Sequence, residues 1–348
     1  MRDIAIVSFA QAPVRTGLQE TETQTLYPVI TSAIEQSGLG RREIGFTCSG
    51  SADYLQGAPF AFVSNLEATG AWPPISESHV EMDGAWALYE AWVRLQHGDV
   101  DVALVFSSGM ASRANLREVL CLQNDPYYLM PLWTDHVSLA ALQARALLDS
   151  GKATEADLQA VVERARANAA GNPTAQPLAG ARGDDDAFVV DPLRVRDCPP
   201  VGDGAAAAIL VAGDRARDVC DRPAWIAGID HRVDPHYPGV RDLTTSRSAA
   251  LAAQQAGVDK APVDVAELHA AFSHEELILR DALGLDSSAE INPSGGALMA
   301  NPIMSAGLIR IGEAFRQISE HGKHRAVAHA TSGPCLQQNL VCVLEGDR

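Results

Sequence analysis

The side chains best suited to chemistry fall into four short stretches. In VAELHAAFSHEELILRDALGL, Val265 to Leu285, an apolar run ends at His269, and Ser273, His274 and Glu275 follow within two turns of chain. An imidazole at the end of a strand can act as a base or donate a hydrogen bond, or it can be a satisfied structural histidine. Ser273, His274 and Glu275 either contact a ligand or simply begin the next helix. In SHVEMDGAWAL, Glu81 and Asp83 precede a helical pattern. Carboxylates there cap the helix and meet its positive end, and the same place would let them touch a ligand. In INPSGGALMANPIMSAG, Ile291 to Gly307, Gly295 and Gly296 mark a turn and Asn301 offers an amide. That amide can donate a hydrogen bond but cannot exchange protons near neutral pH. In ATSGPCLQQNLVCVLE, Ala330 to Glu345, Ser332 and Cys335 stand at a turn. Cys335 is either an acid/base or a buried bystander.

Other arrangements are excluded. Ser107, Ser108 and Gly109 lack the G-x-S-x-G spacing of a nucleophile elbow. Cys48, Cys121, Cys198, Cys220, Cys335 and Cys342 form no CxxC pair, so neither a zinc ribbon nor a thioredoxin motif is present and no metal site is expected. Most are expected to be reduced, buried small hydrophobes.

The elements that must position these groups alternate between strand and helix patterns. DIAIVSF is followed by a helix from about Thr21 to Gly38 and an extended segment near Ile44 to Ser51. AWALYEAWVRLQHG, Ala85 to Gly98, carries apolar residues at helical spacing, stops at glycine, and leads into VDVALVFSSG. The same unit recurs as GLIRIGEAFRQISEHG, Gly307 to Gly322, followed by HRAVAHATSG. That repetition predicts two similar α/β halves related by a pseudo-twofold. Between them, Tyr127 to Arg182 reads as an inserted helical lid, with Thr154 and Asp157 suited to capping. Asp184 to Asp186 read as a solvated acidic loop. The expected division is 1–215, including a helical loop region at about 115–190, and 216–348.

Bulk properties narrow the function. The 348 residues are 47% hydrophobic and 20% charged, enough for a large core. No apolar run reaches the roughly 18 residues of a membrane span. The opening MRDIAIVSFA enters a strand pattern with no signal-peptide character, so a cytoplasmic location away from membranes is expected. A net charge of −17 disfavours nucleic acid, and any anionic ligand would need local arginines or helix N-termini.

The stretch DPLRVRDCPPVGDGAAAAILVA, Asp191 to Ala212, resembles the thiolase signature, with Gly202 and Gly204 expected to relax a turn and the alanine run to allow close packing. The three later stretches resemble, in the required order, motifs of the sterol-carrier-protein-x type of thiolase. The resemblance spans about Ile4 to Glu345 and implies an α/β thiolase fold: five layers, αβαβα, from two similar halves with an inserted lid. It further implies an acyl-CoA substrate, coenzyme A as part of that substrate rather than a separate cofactor, and at least a dimer, with itself or with a thiolase-like paralogue.

The resemblance also shows what has been replaced. Glu81 stands where thiolases carry the nucleophilic cysteine, Asn301 where they carry the Gly-His-Pro histidine, and Cys335 near the second cysteine. His269 falls where the family holds an oxyanion-hole or substrate-contacting residue. Tyr127, Tyr128 and His136 lie in the region that borders substrate. His269, Asn301, Glu81 and Cys335 are thus the candidate catalytic residues, and Asp83, Ser273, His274, Gly295, Gly296 and Ser332 the candidate substrate contacts. Some lipid-transfer thiolase-like proteins, which this chain resembles in lacking the nucleophilic cysteine, cleave steroid side chains together with an OB-fold zinc-ribbon partner, so the resemblance implies retro-aldol cleavage, with His269 as base and with Asn301 and backbone amides polarising the thioester. The alternatives are a non-catalytic subunit supporting a paralogue and a residual acyltransferase.

Overall fold

The structure is a computed structural model and describes residues 2–70, 74–176 and 184–346; the end of the expected lid, 177–182, lies outside them. The first half runs β1 (Ile4–Gln11), α1 (Glu22–Ser37), β2 (Phe46–Gly50), β3 (Glu77–Val80), α2 (Gly84–His97) and β4 (Val102–Met110). It then inserts α3 (Leu116–Gln123), α4 (His136–Asp149) and α5 (Glu155–Ala169) before closing with β5 (Asp203–Ala212). The second half runs β6 (Ala224–Val233), α6 (Arg247–Ala256), β7 (Val265–Glu267), α7 (Ser273–Ala282), β8 (Glu290–Ile291), α8 (Ala306–Ser319), β9 (Arg325–Ser332) and β10 (Gln338–Glu345).

The helix ends follow from local chemistry. Thr21 and Gln24 form a capping box at the start of α1, and left-handed Gly38 ends it. Thr154 and Asp157 do the same at the start of α5, and left-handed Gly98 ends α2.

Hydrogen bonding runs through ten strands in the order β8-β7-β9-β10-β6-β1-β5-β4-β2-β3. Counted within each half, the spatial order is the same, 3-2-4-5-1, and each half pairs its first three listed strands in parallel and the rest antiparallel. The halves meet where β1 and β6 pair at Ala5↔Trp225 and Ile6↔Ala224. This is the duplication expected from the repeated helix-strand unit.

Strand side chains alternate between faces, so each half needs cover on both sides. Alternate residues Ile4 and Ile6 of β1, with Val105 and Ala208, share one core with Leu88 and Leu95 of α2 and Leu308, Ile311 and Ile318 of α8. The opposite face of the first half packs under Leu26 and Ile30 of α1, and that of the second half under α6 and α7. Paired central helices, two half-sheets and two outer helical layers give the five layers. Helix α8 packs so closely on the sheet that a Cβ on Gly312 would lie 2.1 Å from the ring of Phe9 in β1.

Two local expectations are corrected. Gly202 and Gly204 are not in the left-handed region; a Cβ on Gly202 would fall 2.6 Å from Val14 Cγ1, and on Gly204 3.2 Å from Pro302, so close approach explains them rather than turn freedom. Pro302 itself precedes α8, which begins at Ala306, and its carbonyl accepts from the N–H groups of Ser305 and Ala306. The acidic loop is also not merely solvated, since Asp185 pairs with Arg166 and Asp186 with Arg196.

Candidate active site

A cavity of about 750 Å³ opens where the inserted helices cover the ends of β7 and β9. Its walls are largely apolar, with Leu116, Leu120, Val137, Leu139 and Ile303 among them, and its polar end holds His269, Asn301, Glu275, Thr331 and Ser332. That combination of apolar walls and a few convergent polar groups is the usual form of a small-molecule site.

His269 follows β7 by two residues and is buried. The Thr331 backbone N–H donates to its Nδ1 at 3.3 Å, and its Nε2 lies 3.2 Å from Asn301 Oδ1. Burial, followed by the positive field of neighbouring His329 and Arg310, pushes the imidazole down to about 3, so the ring is neutral at ordinary pH. A neutral ring whose Nδ1 accepts carries its proton on Nε2 and donates it to Asn301. Neither nitrogen is then open to take a substrate proton. The expectation of His269 as general base is corrected: it is a positioned N–H donor, and it turns the Asn301 carboxamide so that the Nδ2 branch points away from the imidazole.

The polar residues behind the cavity hold this pair in place. Ser294 donates its Oγ–H to Glu267 Oε2 at 2.7 Å and its N–H to Oε1 at 3.0 Å. Arg310 of α8, fully buried, reaches the same carboxylate at 2.7 Å and the Ser294 hydroxyl at 2.6 Å. Asn292 accepts from the Leu268 N–H at 2.6 Å. The Asn-Pro-Ser-Gly-Gly turn is therefore bolted to the strand that carries His269. Gly295 (φ 97°) and Gly296 (φ 68°) supply the left-handed backbone of that turn. They face Ala169 and Asn292 and do not line the cavity, which corrects their expected contact with substrate.

Asp83 and Glu81 separate. Asp83 is buried on the cavity wall, and its Oδ1 accepts from Ala85 N at 2.8 Å and Leu308 N at 3.0 Å while Oδ2 accepts from Gly307 N at 2.9 Å. One carboxylate thus occupies the N-termini of both α2 and α8, where the amides and helix dipoles would otherwise serve another anion. Burial pushes its carboxyl up and the three amides pull it back. Glu81, expected to share the cavity with His269 and Asn301, is exposed; it accepts from the Asp53 N–H and does not line the cavity. No side chain at that position faces the site as the nucleophile would.

Ser273 and His274, the first two residues of α7, are buried outside the cavity, Ser273 donating to Asp197 at 2.7 Å and His274 Nε2 lying 3.2 Å from Gln143 Oε1. Their expected substrate contacts are corrected accordingly. Ser332 and Cys335 do line the cavity. The Cys335 Sγ donates to the Leu139 carbonyl at 3.3 Å, and burial pushes the thiol up to about 12, so it is no proton carrier near neutral pH. None of the six cysteines is in a disulfide, and five are buried. Tyr127 and Tyr128 are exposed and lie outside the cavity, whereas His136, at the start of α4, is on its wall. Tyr54, Glu275 and Phe272 also line it. Of these, Glu275 carried a sequence signal, an acid three residues into a helix, but nothing in the sequence distinguishes a cap from a cavity residue. Among the described residues no cluster could hold a metal ion, and no helix is long and apolar enough to cross a membrane.

No family model matches the chain. The acetyl-CoA acetyltransferase of Methanothermobacter thermautotrophicus is 25% identical, covering 96% of this chain and 95% of that protein. The 17-hydroxy-3-oxo-4-pregnene-20-carboxyl-CoA lyase of Mycobacterium tuberculosis is 28% identical across 56% of this chain and 51% of its own. Among solved structures, an Ltp2-ChsH2(DUF35) aldolase matches with a TM-score of 0.81 at 20% identity, covering 99% of this chain and 98% of that one. The fold is the thiolase fold. The sequence is also similar to sterol carrier protein 2 of Gallus gallus, 29% identical across 44% of this chain and 32% of that protein.

Proposed function

We propose that this protein cleaves a β-hydroxyacyl-CoA by retro-aldol chemistry, releasing a ketone or aldehyde and a shortened acyl-CoA. The observation that carries the reading is the hydrogen-bonded His269–Asn301 pair on the wall of an apolar cavity, in a protein whose nucleophile position holds an exposed Glu81. Retro-aldol cleavage needs no acyl-enzyme. It needs the charge that develops on the thioester oxygen to be met by preorganised donors in a dry site. In this reading the Asn301 amide meets it, with His269 holding the carboxamide by its oxygen. The apolar walls suit a bulky lipid or steroid acyl group. The mycobacterial lyase and the Ltp2 aldolase, by the names they carry, support the same class of reaction. The aldolase structure includes ChsH2(DUF35), which supports an OB-fold zinc-ribbon partner, with the thiolase-fold chain itself a dimer or paired with a paralogue.

The test is to incubate the purified chain, alone and with such a partner, with a β-hydroxyacyl-CoA steroid, and to follow both products by chromatography and the intact protein by mass spectrometry. Cleavage with no mass added to the protein is expected. An acyl group captured covalently during turnover sinks the reading.

A further inference from the structure

The cavity holds one carboxyl group that the roles above leave unused. Glu275 is the third residue of α7, and its Oε2 turns back to accept the N–H groups of Ala271 at 2.8 Å and Phe272 at 3.1 Å. A cap of that kind needs only one acceptor oxygen, and glutamine supplies it as well as glutamate. The other oxygen, Oε1, receives no hydrogen bond among the described residues, although the side chain is only 5% exposed and lines the cavity. Its surroundings are poor in compensating charge. Arg117, the cation on the cavity wall, is paired with Asp135. Cys335 is an uncharged thiol, and burial holds His136 down to about 4, neutral at ordinary pH. His269 is neutral, and Asp83 is spent on the helix N-termini.

We propose that Glu275 is the proton-transferring residue of the site, its Oε1 taking the β-hydroxyl proton as the Cα–Cβ bond breaks and then returning it to Cα. This rests on the retro-aldol reading. In the first step the O–H bond breaks to protonate the carboxylate, a carbonyl forms at Cβ, and the Cα–Cβ electron pair passes into the thioester as an enolate. In the second, the Glu275 carboxylic acid protonates Cα and the carboxylate is regenerated. No oxidant, reductant or added acid is consumed. Burial in this apolar setting, only partly offset by the two amides, pushes the carboxyl up to about 7, where such a group can both accept and donate at working pH.

The second step, run backwards, needs no cleavable substrate. Butyryl-CoA in D2O should gain deuterium at Cα in the presence of the protein, read by mass spectrometry. Glu275→Gln keeps the capping acceptor and is expected to exchange at least about 100-fold more slowly. In the unmodified protein, exchange should rise with pH through about 7 as the carboxylate forms. That profile tests the assignment even where the variant folds poorly. Exchange at the normal rate in a folded Glu275→Gln protein, a flat pH profile, or no exchange by the unmodified protein overturns it. Glu275-dependent exchange without cleavage of any β-hydroxyacyl-CoA would instead remove the retro-aldol reading and leave the proton-transfer role standing.

Discussion

Asn301 Oδ1 stands 3.2 Å from His269 Nε2, and the far nitrogen of that ring is held by the Thr331 backbone N–H at 3.3 Å. A backbone donor thereby decides, through one imidazole, which end of the Asn301 carboxamide faces the ring. Asn301→Asp preserves shape but replaces donors by an acceptor, so kcat should fall about 100-fold with little change in KM, as on losing one oxyanion donor. His269→Ala frees the amide to turn and should cost less. Because the two act as a unit, the double Ala variant should lose less than the sum of the single losses, measured as free energies from kcat/KM.

Asp83 should be worth more to the fold than an ordinary cap. Its loss leaves the N–H groups of Ala85, Gly307 and Leu308 unsatisfied at the buried meeting of α2 and α8. Asp83→Ala is expected to cost about 2–4 kcal/mol, above the usual capping loss. Urea unfolding followed by circular dichroism measures it. A cost under about 1 kcal/mol would mean that water replaces the carboxylate at those amides.

The Arg310–Glu267 pair predicts an asymmetric pattern. Arg310→Met leaves Glu267 buried and unpaired, and should destabilise by about 3–5 kcal/mol. Adding Glu267→Gln removes that stranded charge and should restore part of the loss, as read from shifts in the urea midpoint.

Stability should also depend on pH through the buried histidines. His269 and His274 are held down to about 3, and His136 and His329 to about 4, against 6.5 for the free side chain, in each case by burial first. Below 6.5 the unfolded chain therefore binds protons that the folded protein does not, and these groups lose stability as pH falls through that value. Glu275, raised from 4.5 to about 7, binds a proton in the folded state and opposes the trend over that window. Urea midpoints should rise between about pH 5 and pH 6.5, and more steeply in Glu275→Gln.

The sequence made the frame legible because duplication and capping are local signals. The helix-glycine-strand unit at Ala85 and again at Gly307 marks both halves, and Thr154 with Asp157 marks a real capping box. His269 and Asn301 were also visible, being brought together by the order of motifs. What the sequence could not show is direction. Glu81 and Asp83 are two residues apart beside the same helix, yet one faces solvent and the other is buried between two helix ends. Glu275 and His274 are adjacent, and only Glu275 reaches the cavity. Which way a side chain points at the mouth of a site is set by long-range packing, here by α8 and the inserted helices, and not by its neighbours in sequence.

That packing gives one more prediction. Gly109, in β4, lies against the segment that follows Asn301: a Cβ there would come within 1.9 Å of the Ile303 carbonyl oxygen. Backbone cannot yield as the end of a flexible side chain can, so Gly109→Ala must push the 301–304 segment away from the strand. The cost to folding should be about 1–3 kcal/mol. Activity should suffer separately, because Asn301 leaves the reach of His269, and a displacement of about 1 Å can cost about 100-fold. The discriminating measurement is kcat at a temperature where both proteins are fully folded. A normal kcat there would show that the segment relaxes without moving Asn301, and would detach the donor pair from the β4 contact.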